Sequence, residues 1–115
     1  MTLSELLQAV ASHPGSVDFA EVMSVIADHY DYTPTAFKNG ELHNDAGQNE
    51  GSCKLFAFAK LHNLNEQQTL ALFGGYYRDD VLGNPDGNDH GNIRNFMQSG
   101  WDGVVFSGDA LISKA

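Results

Sequence analysis

At 115 residues the chain has the length of one domain, able to bury roughly 65% of its unfolded surface around a single core. Its formal net charge is −9, from 15 acidic against 6 basic residues. This argues against non-specific nucleic-acid binding, which needs Lys and Arg to neutralise phosphates, and against docking on anionic membranes. The lone cysteine excludes an internal disulfide and fits a reducing compartment. The longest apolar run, Leu55–Ala59, is far short of the roughly 20 residues of a membrane span. No Lys or Arg precedes Lys38, so the basic start of a secretory signal is missing. A bacterial-type, cytoplasmic protein is expected.

Thr2-Leu3-Ser4-Glu5 reads as a capping box opening a helix, with Leu3, Leu6, Leu7 and Val10 at helical spacing and His13-Pro14-Gly15 ending it. Asp18-Phe19-Ala20-Glu21 reads as a second capping box, with Val17 and Val22 placed as a hydrophobic staple. Phe19, Val22, Met23, Ile26 and Tyr30 then mark one face of a helix to about residue 30. The period changes at Tyr32-Thr33-Pro34-Thr35-Ala36-Phe37, which is β-prone, and Asn39-Gly40 is a hairpin turn because both residues tolerate positive φ. Pro34 suggests an edge strand. An isolated hairpin is marginal, so it should pair with Val104-Val105-Phe106.

Residues 52–62 carry Leu55, Phe56, Phe58 and Ala59 on nearly all sides, which predicts a buried central helix. Asn65-Glu66-Gln67-Gln68 caps the next helix, whose core side is Leu70, Phe73 and Tyr77. Gly74-Gly75 inside that pattern costs about 2 kcal/mol against Ala-Ala, so the helix bends there or another backbone approaches. Gly83–Asp89 is a loop on composition. A short helix over about 90–98 follows, with Ile93, Phe96 and Met97 inward and Gly100 as its C-cap. The tail beyond Gly108 reads as weakly tied down.

Several ordered strings carry a family resemblance: Phe37-Lys38-Asn39-Gly40, the run Ala46–Ala59 with Gly47-Gln48-Asn49-Glu50-Gly51-Ser52-Cys53-Lys54 at its centre, Tyr76-Tyr77-Arg78-Asp79, Pro85–His90, Asn92–Met97 and Gly100-Trp101. On these the chain resembles the HopJ type III effector family over about residues 3 to 108, as a single HopJ-like domain spanning 1–115. The resemblance implies a protein delivered by a plant pathogen's type III secretion system, or a homologue of one, and implies no particular reaction. The capped helix at the start of the chain contrasts with the disordered, serine-rich segment that delivered effectors usually begin with.

Chemistry concentrates in two polar loops, 43–53 and 83–92. Cys53, in the first turn of its helix and next to Lys54, is placed for a lowered pKa and a nucleophilic thiolate. His90, His43 or His62 would be the base, and Asp86, Asp89 or Asn92 would orient it. That is a Cys53/His90 hydrolase or transferase; the plainer reading makes the cysteine a small core residue. Gly47–Ser52 resembles an anion cradle but fails the phosphate-loop spacing, and a cap by Asn49 or Ser52 explains it as well. Asn84, Asp86, Asn88 and Asp89 begin like an EF-hand, but Asp89 and Asn95 stand where glycine and glutamate belong. An irregular divalent site would have to borrow Asp45 or Glu50, and zinc lacks ligands. Arg94 is placed to clamp a ligand carboxylate, although arginines in so acidic a chain more often pair with internal acids. Tyr76, Tyr77 and Trp101 suit a pocket wall or the core.

The expected fold is α+β and mostly helical, about five helices around a buried central helix with a small antiparallel sheet. If the two loops meet, they form a cleft with Cys53 and His90 as catalytic candidates and Asn49, Glu50, Asp86 and Arg94 as ligand-binding ones. No metal site and no cofactor is assigned. The leading expectation is a recognition module for a host or bacterial protein; the alternatives are the Cys/His enzyme and a metal- or metabolite-binding protein.

Overall fold

The computed structural model describes residues 1–114. Helices α1 (Leu3–Ser12), α2 (Phe19–His29), α3 (Glu50–Leu61), α4 (Glu66–Ala71) and α5 (Gly91–Ser99) are joined by short 3₁₀ turns and one π-helical turn, Tyr76–Val81. Strands are β1 (Tyr30–Tyr32), β2 (Phe37–Asn39), β3 (Leu42–Asn44), β4 (Val104–Phe106) and β5 (Leu111–Ser113). This is the α+β arrangement expected, with α3 as its buried axis.

The Thr2 capping box forms, with Thr2 Oγ1 accepting from Glu5 N at 3.1 Å and Thr2 N donating to the Glu5 carboxylate at 2.9 Å. Leu6 and Val10 are buried beneath it, and Leu3 and Leu7 pack at the margin. The second expected capping box does not form, because the Asp18 side chain makes no bond to its helix. Another backbone occupies that corner instead. Gly74, at φ +61°, lies so close that a Cβ on it would sit 2.8 Å from Phe19 N and 3.2 Å from Val17 O. Of the two outcomes expected for Gly74-Gly75, the close approach is therefore found, and α4 itself stops at Ala71.

Tyr30, expected on α2, is extended and opens β1. Its partner is the tail: Tyr30 lies opposite Ser113 and Tyr32 opposite Leu111 in an antiparallel pair. The expectation of a loose tail is thereby corrected. Ala110 and Leu111 are buried, and Thr33 N and Lys114 N close the ladder on Ala110 O and His29 O. The second sheet has the order β3-β2-β4. The hairpin turns at Gly40-Glu41, one position later than the expected Asn39-Gly40: Gly40 has φ +62°, whereas Asn39 stays in the ladder opposite Leu42. Its pairing with Val104–Phe106 is as expected. Pro34 does not make β2 an edge. The β-prone run breaks at the proline, Tyr32 going to β1 and Phe37 to β2, so β2 begins beyond it and is the central strand.

Phe56, fully buried on α3, is the hub of the core, with ring centroids 5.0 Å from Phe96, 5.5 Å from Phe73, 6.0 Å from Phe37 and 6.3 Å from Trp101. On α5 the inward set is Asn92, Ile93 and Phe96, continued by buried Gly100 as C-cap at φ +61°. Met97, expected inward, is 45% exposed, because the inward stripe runs through Asn92, Ile93, Phe96 and Gly100 and leaves it at the margin. Among the described residues no helix is long and apolar enough to cross a membrane.

A candidate recognition cleft at two helix starts

The hairpin register sets the site. Asn39 and Asn44 end β2 and β3 with inward side chains, both fully buried, and the first turn of α5 brings Asn92 against them. Asn39 Nδ2 donates to Asn92 O (2.7 Å) and Asn92 Oδ1 (3.1 Å). Asn44 and Asn92 exchange amide bonds, Asn44 Nδ2 to Asn92 Oδ1 at 3.2 Å and Asn92 Nδ2 to Asn44 Oδ1 at 3.1 Å. Asn49 Nδ2 joins by donating to Asn44 Oδ1 at 2.7 Å. These bonds bring the two polar loops together, since Asn44 and Asn49 belong to one and Asn92 to the other.

The network has a consequence for the helices. Asn49 and His90 are the N-caps of α3 and α5, both left-handed at φ 49° and 51°, and neither gives its helix a side-chain cap bond. Asn49 spends its amide on Asn44, and the His90 ring is bonded to Asp80 Oδ2 at 3.0 Å. The first intrahelical donors are Cys53 N, to Asn49 O, and Arg94 N, to His90 O. The backbone N–H groups of residues 50–52 and 91–93 are left without helical partners. Gly51, Ser52, Gly91, Asn92 and Ile93 line one cleft of about 380 Å³, together with Asn49 and His90. Phe19, Phe73 and Tyr76 wall it, with the Tyr76 ring 5.2 Å from Phe19 and 5.3 Å from His90. No acidic side chain lines it.

Of the expected site residues, Asn49 and His90 reach this cleft and Glu50, Cys53, Asp86 and Arg94 do not line it. Glu50 and Asp86 are exposed, at the start of α3 and on the 83–89 loop. Arg94 staples that loop: Nε donates to Asp89 O and Nη2 to Asp89 Oδ1, each at 2.6 Å, and Nη1 to Pro85 O at 3.3 Å. The hydrogen bond from Arg94 holds the Asp89 carboxyl below its usual range. Cys53 is 1% exposed, and its thiol donates to Thr35 O at 3.5 Å. Burial pushes the thiol pKa up, outweighing Lys54, whose ammonium sits over the Tyr32 ring, 4.7 Å from its centroid. The Tyr32 hydroxyl beside it is buried without a hydrogen-bond partner, and burial raises its pKa strongly. His62 is bonded to the Tyr30 hydroxyl at 2.6 Å, and burial lowers its pKa. Among the described residues no group of three His, Cys, Asp or Glu side chains is arranged to hold a metal ion.

Cys53 should therefore resist alkylation in the native protein and react only on unfolding, with a rate that tracks denaturant across the transition. A native thiol that reacts as fast as the unfolded one would contradict this placement.

Sequence reasoning missed the asparagine network and the Phe19 and Phe73 walls. The available signal was the hairpin itself, since the register with the turn at Gly40-Glu41 puts Asn39 and Asn44 on the same inward-facing side.

No curated protein matches the chain. Among solved structures it is similar to the crystal structure of a protein of unknown function, VPA0580, with 53% sequence identity and a TM-score of 0.97, covering 99% of this chain and 95% of that one. The family model described as HopJ type III effector protein matches residues 3–111. The match spans both polar loops, the hairpin and the central helix, and the chain belongs to the HopJ family.

Proposed function

We propose that the chain is a small recognition module that seats a carboxylate of a partner polypeptide, host or bacterial, in the cleft at the starts of α3 and α5. The observation that carries the reading is the convergence of unpartnered N–H groups from two helix first turns on one acid-free cleft. Each helix start presents roughly half a positive charge, so two together match a monoanion. A phosphate dianion carries more charge than the two helix starts balance, and no lysine or arginine lines the cleft to make up the difference. The aromatic wall suits an apolar side chain next to that carboxylate. The reading needs no nucleophile and leaves Cys53 in the core.

The test is an amide-resolved NMR titration with acetylated glycyl-phenylalanine, as the free acid and as its C-terminal amide. The acid is expected to shift the amide protons of Gly51, Ser52, Gly91, Asn92 and Ile93 saturably, and the amide to leave them in place. An unchanged spectrum with the acid, or equal shifts with both, removes the proposal.

A further inference from the structure

A second concavity lies on another face of the molecule, between α1 with the 3₁₀ turn Pro14–Ser16 on one side and α4 with the π-helical turn on the other. It measures about 500 Å³, within the range of small-molecule sites. Val10, Pro14, Ala71 and Leu82 give it an apolar wall, Gln68 contributes an amide, and Arg78 lines it with the only charged side chain there.

Arg78 is the anomaly. In a chain with 15 acidic residues, its guanidinium has no carboxylate within ion-pair distance among the described residues. Its partners are two carbonyls, Val17 O at 2.9 Å from Nη2 and Pro14 O at 3.4 Å from Nη1. These neutral acceptors fix the plane of the fork and supply no countercharge. The neighbouring acids turn elsewhere. Asp80 bonds His90 at 3.0 Å, and Asp79 sits by Gly75, where a Cβ would lie 3.3 Å from its Oδ2. The other surface arginine, Arg94, shows the ordinary alternative, an ion pair with Asp89. A guanidinium has five N–H donors, so two carbonyl bonds leave others for a ligand. An arginine oriented by backbone acceptors in an acid-free, partly apolar groove is a pre-organised carboxylate receptor.

We propose that this groove binds a small organic monocarboxylate with an apolar chain, its carboxylate on Arg78 and its chain along Val10, Ala71 and Leu82. Charge complementarity selects the acid, and the apolar wall selects against a compact, fully hydrated anion.

The probe is hexanoate, with hexanamide as its uncharged counterpart, followed by NMR on the intact chain through the Arg78 Nε–H signal and the Val10 and Leu82 methyls. Hexanoate is expected to shift these signals saturably and to bind at least about tenfold more tightly than hexanamide, as a charge-assisted bond warrants. Arg78→Gln should remove that preference. Since Arg78 also tethers the 14–17 segment, this variant can fail to fold; the comparison of acid with amide on the wild-type chain decides the question without it. Equal affinity for the two, or no shift with hexanoate, overturns the proposal. So do shifts confined to Gly51, Ser52 and Gly91, which would place the acid in the other cleft.

Discussion

Asn44→Ala is expected to lower the free energy of unfolding by about 3–5 kcal/mol, from lost buried hydrogen bonds at roughly 1 kcal/mol each plus the desolvation penalty of amides left unpaired. Asn44 is fully buried and is the junction of the network. It accepts from Asn49 at 2.7 Å and Asn92 at 3.1 Å, and donates to Asn92 at 3.2 Å and Phe37 O at 3.5 Å. Truncation strips the buried Asn92 amide of this acceptor, and the exposed Asn49 loses its tie to the hairpin. The network is already imperfect, since Asn39 Oδ1 is buried with no partner, so it has little slack. A loss of this size is a large share of the roughly 5–15 kcal/mol typical of a domain. The variant should also loosen the cleft, because Asn44 is what joins the start of α3 to the start of α5. Urea unfolding measures the first effect, and amide exchange at Cys53 and Arg94, the first hydrogen-bonded amides of the two helices, measures the second. A change under about 1 kcal/mol would mean that the amides find other partners and that the network does not hold the two loops.

Gly74→Ala is expected to cost about 2–5 kcal/mol, from left-handed backbone at roughly 1–2 kcal/mol and overpacking at roughly 1–3 kcal/mol. Its Cβ would meet Phe19 N at 2.8 Å, Val17 O at 3.2 Å and Asp18 Cα at 3.3 Å, all backbone and unable to swing aside. The adjacent glycine is the internal control. Gly75 has helical angles, φ −60° and ψ −28°, and its Cβ would meet only Asp79 Oδ2 at 3.3 Å. Gly75→Ala is therefore expected to be neutral or to stabilise by up to about 1 kcal/mol. Thermal or urea melts of the two variants check the contrast, and equal effects would refute it. Gly74→Ala should also disturb the cleft, because the backbone it presses on carries Phe19, whose ring stacks on Phe73 at 6.2 Å and forms the cleft wall.

The pair Gly74-Gly75 shows how far the residues alone can be read. Two glycines inside a helical pattern announced a bend or a close approach, but not which glycine needed to be one. That depends on the 17–19 backbone, which reaches Gly74 only in the folded chain. Tyr30 and the tail teach the same lesson. Tyr30 continues the helical stripe of α2, and three residues at Leu111–Ser113 are too few to show a period. Only their mutual pairing makes either a strand. For Cys53, the helix start and Lys54 suggested a thiolate, whereas burial decides the opposite sign. Arg94 was placed correctly on a helix after the acidic loop, but there it binds Asp89 and Pro85 of that loop.

The sequence by itself determined the family, the five helices, the caps at Thr2 and Asn65, a hairpin turning at Gly40 to within one position with its third strand, and the burial of α3. These rest on caps and stripes at spacings of three or four residues, on one turn dipeptide, or on ordered strings legible in one dimension. Tertiary structure alone decided the asparagine network, the diversion of both N-caps from their helices, the acid-free cleft and the unpaired Arg78. Each depends on contacts between distant residues, Asn39 and Asn44 meeting Asn92 across 53 and 48 positions and Arg78 meeting Val17 across 61. An asparagine or arginine has the same local propensity whether it faces solvent or another amide, so its partner is fixed only when packing brings the two together.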